Sequence, residues 1–469
     1  MAAAVGMEDP IFSRPLRVRR VKVVGNARTR TGIIEQELDL ARRGRTVREV
    51  SAGIMKALQN LKQVDAFEAV EVFCDVTENV PKAANDNTEY TDVIVAVREK
   101  RILSLKAETY VTSTGSEGGV ETSFTLNNSL GLTEKISAAA SYGTKSTAAT
   151  RVDVTKPRFR GLPFTLNVSA SHNTASRVVY SSYDERIQAL NAELRHDGGR
   201  HVFGMGTAWR DVIPVRSEKN EFQYAASGLI IAQAKPSLKN SIRYTFTNDK
   251  RDNAYGPTSG SLFQLSSELA GFGGDVSFAK GQLRVQQYVP VFESVLPDVS
   301  VGMSLNVGVL CPLGQTMSPG GQDSKDDAAV GSSSSISDRF WLGGPMQLRG
   351  FHHKGVGPRT SPKLPGAKGG DALGGDVTWS VGYSLGLPFP HAGLHAAGFR
   401  CQLYANAGNL CAYETSFRTL LYGARASVGC GIVFPTPVGR IEANLSHVLR
   451  ANSRDQQRRF QLGLGMEFL

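Results

Sequence analysis

The sequence predicts a mainly β protein: a 16-stranded antiparallel transmembrane β-barrel preceded by one small α+β domain. Three observations predict it. From residue 101 onward apolar residues recur with period two, in segments of about ten residues, the pattern of membrane-spanning strands. Helical periodicity is confined to the first hundred residues. The chain of 469 residues carries 49 glycines and only 20% charged residues, the balance of a long, turn-rich β protein.

Taken in order, residues 1–15 read as a short disordered leader, MAAAVGMEDPIFSRP, without the basic stretch and apolar core of a secretory signal. Residues 16–100 alternate the two periods. Arg17 to Val24 is a strand closed by the turn signal Gly25-Asn26. Ile33, Ile34 and Leu38 fall at helical spacing, and Gly44 ends that helix. Thr46-Val47-Arg48-Glu49 is a capping box, which opens a second helix with the stripe Val50, Ile54, Leu58 and Leu61. Phe67, Ala69, Val70 and Val72 form a strand; Val93, Val95 and Val97 form another after a polar loop at 77–91. The order is β-α-α-β-β, enough for one small core.

The net charge of +10 is concentrated in this region, from Arg14, Arg17, Arg19, Arg20 and Lys22 to Arg42, Arg43, Arg45 and Arg48. Aromatic residues do not interleave with these cations, and several alternate with apolar residues. A solvated sheet face or a membrane-facing surface fits better than a nucleic-acid site.

The barrel occupies residues 101–469. Its first strand, Ile102 to Ser113, sets Leu103, Leu105 and Ala107 against Ser104, Lys106 and Glu108. Ile242, Tyr244 and Phe246 alternate with Arg243, Thr245 and Thr247. The uncharged run Val299 to Gln322 is long enough for a membrane helix but has period two, so it predicts a strand. The last strand, Arg458 to Leu469, sets Phe460, Leu462, Leu464, Met466 and Phe468 against Gln461, Gly463, Gly465 and Glu467. A soluble β-sandwich is the plain alternative; charges on the inward faces and alternation to the C-terminus count against it. Seventeen segments qualify as strands, and antiparallel closure requires an even number. Glu221 to Gln233 is therefore assigned to a loop, which leaves sixteen.

Enzymatic chemistry finds no footing. The five cysteines contain no C-x-x-C and predict reduced thiols. Gly143-Thr144-Lys145-Ser146 resembles the end of a P-loop but closes a strand, and its first glycine is replaced by Ala138. His352-His353 reads as a solvated pair, and neither G-x-S-x-G nor H-E-x-x-H occurs. No cofactor or metal is implied.

One segment stands apart, Ser337 to Gly357, SDRFWLGGPMQLRGFHHKGVG, within an inserted loop at 313–372. Its centre is Leu348-Arg349-Gly350-Phe351, with Gly343-Gly344-Pro345 just upstream. Glycines allow tight turns and close approach, and an arginine so held is a rigid five-donor fork that can enter a polar interior. A solvated arginine on a surface loop is the alternative. Gln315 to Ser335, rich in Ser, Gly and Asp, reads as a disordered insertion, and Gly366 to Gly375 as flexible loop.

The N-terminal pattern, with Gly25-Asn26, two helices and the Ala66-Phe67 entry to the second strand, resembles a POTRA domain. The ordered set Tyr142-Gly143-Thr144-Lys145, Lys156-Pro157-Arg158, Gly273 to Phe278, Asp338 to Pro345, Leu348 to Phe351 and Asn406 to Leu410 extends the likeness over nearly the whole chain. It resembles the membrane core subunits of the mitochondrial sorting and assembly machinery, relatives of the BamA-like insertases. The resemblance implies that the arginine loop folds back into the barrel and meets polar groups on its inner wall. Positions where bacterial members carry carboxylates are Ser384 and Asn406 here, so these two and Asp376 are the candidate partners of Arg349. It also implies insertion of β-barrel precursors into the mitochondrial outer membrane at a lateral gate between the first and last strands, lined by Leu103, Leu105, Ala107, Phe460, Leu462 and Leu464. Gln461, Gly463, Met466 and Phe468 fit the β-signal pattern of such precursors. Implied partners are those precursors, accessory sorting and assembly subunits and membrane lipids, with no nucleic acid; the N-terminal domain would lie in the intermembrane space. A polypeptide-translocating or diffusion pore is the alternative, and a plastid-type import channel fits less well.

Overall fold

The computed structural model describes residues 10–76, 88–111, 118–144, 147–217, 220–291, 298–313, 334–360, 370–436 and 439–465. The N-terminal domain follows from the two periods in its sequence. Strands β1 (Leu16–Val24), β2 (Phe67–Val76) and β3 (Glu89–Glu99) form a sheet ordered β1-β3-β2, with β1 parallel and β2 antiparallel to β3. Helix α3 (Val47–Gln63) buries Val50, Ala57 and Leu61; Ala57 and Leu61 pack in the core with Val21, Val93, Val95 and Val97. Its cap forms as the sequence predicts. Thr46 Oγ accepts the Glu49 N–H at 3.3 Å, while Glu49 reaches back to the Arg45 N–H at 2.8 Å. The preceding helix is broken in two, α1 (Thr31–Glu37) and α2 (Asp39–Arg43), because Leu38 adopts φ −91° and ψ 2° while burying its side chain fully. Residues 10–15, expected in the leader, make a short 3₁₀ turn at Pro10–Ser13 and a bridge from Pro15 to Thr46.

Beyond residue 102 the chain is one 16-stranded antiparallel sheet in sequence order, with a barrel-like fold, from the first strand, Leu103–Val111, to the last, Phe460–Gly465. Glu221 to Gln233 is indeed outside it. Asn220–Tyr224 pairs only with Arg216–Ser217, and Gly228–Ala232 is a helical turn. Apolar residues point outward and are exposed, among them Leu105 (74%), Met205, Ile242, Leu403, Leu445 and Leu462. An apolar band of that extent belongs against lipid.

The N-terminal domain is docked beneath the turns that follow the second strand (Gly118–Asn127) and the fourth (Ala148–Lys156). The Arg30 N–H donates to the Gly131 carbonyl at 3.0 Å, and Asn128 Nδ2 donates to Thr29 Oγ1 at 2.7 Å. Glu37, buried, accepts from Arg158 Nε at 2.5 Å and from Asn60 Nδ2 at 2.8 Å. Glu99 braces the connecting loop, taking the Arg28 and Thr29 N–H groups, the Thr29 hydroxyl at 2.6 Å and Arg28 Nε at 2.9 Å. Burial opposes ionisation of Glu99, but the Thr29 and Arg28 hydrogen bonds outweigh it and hold its carboxyl below the usual range.

Candidate functional site

The loop between the eleventh strand, Ser300–Pro312, and the twelfth, Val377–Pro388, returns into the barrel interior. The sequence supplies the means. Phe340, Leu342, Leu348, Phe351 and Val356 form a core there with Leu310, Leu410, Ala270 and Phe278 on the wall. Isolated bridges Phe340↔Gly375, Leu342↔Val356 and Gly344↔Leu348 fold the segment on itself. A second cluster, Tyr183, Val212, Ala226, Ile230, Ile336 and Leu373, packs its base.

Two ionic anchors on opposite parts of the wall hold this core. The first is Asp338. Its carboxylate accepts from Arg210 Nη1 at 2.7 Å and Lys239 Nζ at 2.9 Å, from the strands His201–Pro214 and Ser237–Asp249. Lys280, on Phe278–Pro290, donates to the Asp338 carbonyl at 2.7 Å. The second is Arg349, 1% exposed. Its Nη2 donates to Glu442 Oε1 and Oε2 at 3.1 Å, and its Nε to Oε2 at 3.2 Å. The guanidinium also lies 4.8 Å from the centroid of the Tyr404 ring. Glu442, 0% exposed, stands on the fifteenth strand, Gly439–Arg450, and is itself shared with Arg440 and with Asn444 Nδ2 at 2.7 Å. A charged pair so deeply buried is tenable because the Glu442 carboxylate also accepts from Arg440 and Asn444 and the guanidinium lies over the Tyr404 ring.

Main-chain bonds complete the second anchor. Gly350 has φ +90°, a conformation that favours glycine, and an added Cβ would also meet Ser427 Cβ at 3.1 Å. Its N–H donates to Gln461 Oε1 at 2.8 Å, and Gln461 Nε2 donates to the Phe351 carbonyl at 2.6 Å. The Arg458 N–H donates to Gly350 O at 2.9 Å, and the His352 N–H to Gln456 O at 2.8 Å. Ser427, on the fourteenth strand Arg425–Thr436, donates to the Arg349 carbonyl at 2.5 Å.

The structure thus brings Leu348, Arg349, Gly350 and Phe351 together with Gln461, and Leu348 and Phe351 are fully buried. It corrects the expected partners of Arg349. The charged one is Glu442. Asp376, buried at the loop's base, accepts from Ser334 Oγ and from the Tyr413 N–H at 3.3 Å. Ser384 faces inward opposite Tyr404, on the thirteenth strand Arg400–Cys411. Asn406 lies one group away, its side chain 2.9 Å from Ser427 Oγ. The missed residue had a signal. Glu442 is the only carboxylate in Gly439–Arg450 and alternates with Ile441 and Ala443, an acid placed where the strand must face inward.

Leu103, Leu105 and Ala107, and Phe460, Leu462 and Leu464, all lie on the exposed outer face of the two terminal strands. The first strand pairs with Gly118–Asn127 from Leu103↔Leu126 to Val111↔Gly118, and the last pairs with the fifteenth from Arg440↔Gly465 to Leu445↔Phe460. Among the described residues no ladder joins the first strand to the last. Gln461 and Gly463 face inward; Met466 and Phe468 lie outside the described residues.

Residues 128–468 match the Omp85 superfamily domain. A SAM50-like protein of Schizosaccharomyces pombe is 28% identical over 97% of this chain and 91% of its own length. The human sorting and assembly machinery component 50 homolog is 29% identical over 98% of this chain and 92% of its own. The crystal structure of BamA from Haemophilus ducreyi lacking POTRA domains 1–3 superposes with a TM-score of 0.72 at 16% identity, over 95% of this chain and 84% of that one.

Proposed function

We propose, on the premise that the chain belongs to the Omp85 superfamily, that it is a non-enzymatic assembly factor of the mitochondrial outer membrane that inserts β-barrel precursors at the seam between its first and last strands. Mitochondrial placement and the assembly role come from the likeness to the sorting and assembly relatives. Precursors, accessory assembly subunits and lipids are the partners this reading gives it, and the POTRA-like N-terminal domain, residues 16–100, faces the intermembrane space.

The observation that carries the gate is that, among the described residues, the 16-stranded sheet has Leu103–Val111 and Phe460–Gly465 as its two end strands, with no ladder between them. The physical need is plain. Unpaired backbone groups in hydrocarbon cost several kcal/mol each, so an incomplete sheet needs an edge to pair with. A parted seam offers that edge, and strand addition supplies main-chain hydrogen bonds with little regard to the client's sequence. The inserted loop, anchored to the last four strands, braces that side while precursors add. Depletion of the protein should reduce newly assembled outer-membrane barrels and spare helical outer-membrane proteins. Equal loss of both classes, or of neither, would refute the assembly role.

A further inference from the structure

The helix Phe417–Tyr422, which follows the thirteenth strand, is seated on the outside of the wall. Trp379 and Asn409 face each other on the twelfth and thirteenth strands, on the outward side that they share with exposed Tyr383 and Leu403. Trp379 Nε1 donates to the Leu420 carbonyl at 3.3 Å, and Asn409 Nδ2 donates to the same oxygen at 2.7 Å. The helix is thus held by a carbonyl of its last turn, which leaves its apolar side chains free. None of its 6 residues is buried; Phe417 is 73% exposed, Tyr422 66%, and Leu421 and the preceding Tyr413 are exposed too. An ordered apolar row of this kind calls for an apolar neighbour.

Two features identify that neighbour. The first is position. The N-terminal domain lies under turns that follow even-numbered strands, so a helix after an odd-numbered strand stands at the opposite rim. There the row runs on into Leu449, Leu445 and Leu403 of the lipid-facing band, all exposed. The second is charge. The Arg418 guanidinium lies 5.5 Å from the centroid of the Tyr422 ring, and Arg450 Nη2 donates to the Tyr422 carbonyl. Among the described residues neither guanidinium meets a carboxylate. Aromatic rings and cations at the edge of an apolar band match the depth at which acyl chains give way to headgroups.

We propose that this helix is a phospholipid-binding foot. Phe417, Leu421 and Tyr422 lie among the upper acyl segments of the leaflet opposite the N-terminal domain. Arg418 and Arg450 hold the phosphate of an anionic phospholipid beside the Tyr422 ring. The site is independent of strand exchange at the seam and rests only on the exposed wall facing lipid.

Two measurements on the full-length protein test the two halves. In lipid nanodiscs, with the five native cysteines replaced by alanine, a nitroxide is attached at Phe417→Cys, at Leu403→Cys on the wall, or at Ser453→Cys on the exposed loop after the fifteenth strand. Its collisions with oxygen and with a water-soluble nickel chelate are compared. The label at 417 should behave as the one at 403 does. Nickel access equal to that at 453 would place the helix in water and overturn the foot, leaving its apolar row to a protein partner. Native mass spectrometry in detergent then follows titration with phosphatidylglycerol. Arg418 is exposed, so Arg418→Gln should spare the fold and weaken the first phosphatidylglycerol bound about fivefold, while phosphatidylcholine binding stays within about twofold. Adding Arg450→Gln should weaken it further. Unchanged phosphatidylglycerol binding in Arg418→Gln would overturn the phosphate site, and equal weakening of both lipids would overturn its preference for an anion.

Discussion

Replacing Arg349 by alanine leaves the Glu442 carboxylate fully buried without its bidentate partner, with Arg440 and Asn444 still beside it. Breaking a buried pair from one side costs about 3–5 kcal/mol, so the temperature at which the barrel opens on a semi-native gel should fall markedly. Arg349→Lys should recover only part of it, because an ammonium cannot span both carboxylate oxygens and stack on Tyr404. Glu442→Gln should be as harmful as Arg349→Ala, and the double variant Arg349→Met with Glu442→Leu milder than Arg349→Ala alone, since it leaves neither of the two charges stranded. Unchanged heat resistance in Arg349→Ala would contradict the buried pair. Glu99 gives a pH-dependent counterpart outside the membrane. Its folded pKa is depressed, so its contribution is complete above the unfolded value of about 4.3 and is lost as pH falls through the lower folded value. Protection of the Arg28 and Thr29 amides from hydrogen exchange, corrected for intrinsic rate, should hold down to about pH 4 and decline below it. In Glu99→Gln that protection should already be weak near neutrality; an acid-insensitive wild type would count against this role. At this scale the sequence was half legible. A glycine-flanked arginine announces itself by composition, but its partner lies 93 residues away, and only the register of the fifteenth strand turns Glu442 toward it.

Among the elements, the strands and helices declared themselves through period and capping, whereas the loop's path did not. Its anchors are single residues, such as Asp338 bonding to Arg210 and Lys239, on strands more than ninety positions away. Leu38 likewise splits one predicted helix because tertiary burial overrides local periodicity. The insertion Gln315 to Ser335 is low in apolar residues, with six serines and nothing to build a core. Its residues up to 333 lie outside the described residues, but Ser334 is part of the site: its hydroxyl accepts from Arg339 Nε at 3.0 Å and its carbonyl from Nη2 at 2.7 Å. Deleting 316–332 should therefore preserve folding and client assembly, while extending the deletion through Ser334 should destabilise the loop. Loss of activity with the shorter deletion would show a contact made by the insertion itself. The docked N-terminal domain makes an independent case. Arg158→Ala strands the buried Glu37, so hydrogen exchange should rise in Thr31–Glu37 and in the 157–161 turn, and the charge-swapped pair Glu37→Arg with Arg158→Glu should restore part of the protection. Exchange unaltered in Arg158→Ala would mean the ion pair does not hold the domain.

For the whole molecule, the sixteen strands and the small domain before them were readable because alternation over so long a stretch has few physical solutions in lipid. Closure was not readable, since a seam is a relation between chain ends and leaves no periodic mark. The two sides of that seam differ in support. The last strand is tied to the loop through Gln461 and through Arg458. The first strand continues directly from the N-terminal domain, whose docking sites lie under the second and fourth strands' turns. The central claim is that clients enter between these two strands, and a reversible lock tests it most directly. Cysteines are placed on Leu103–Val111 and Phe460–Gly465, in a background without the native five, and oxidised to a disulfide while a radiolabelled barrel precursor is presented in isolated outer membranes. The account predicts a folded, crosslinked barrel on which the precursor accumulates uninserted, and its insertion once reductant opens the bond. Full insertion across a seam verified as crosslinked would contradict it.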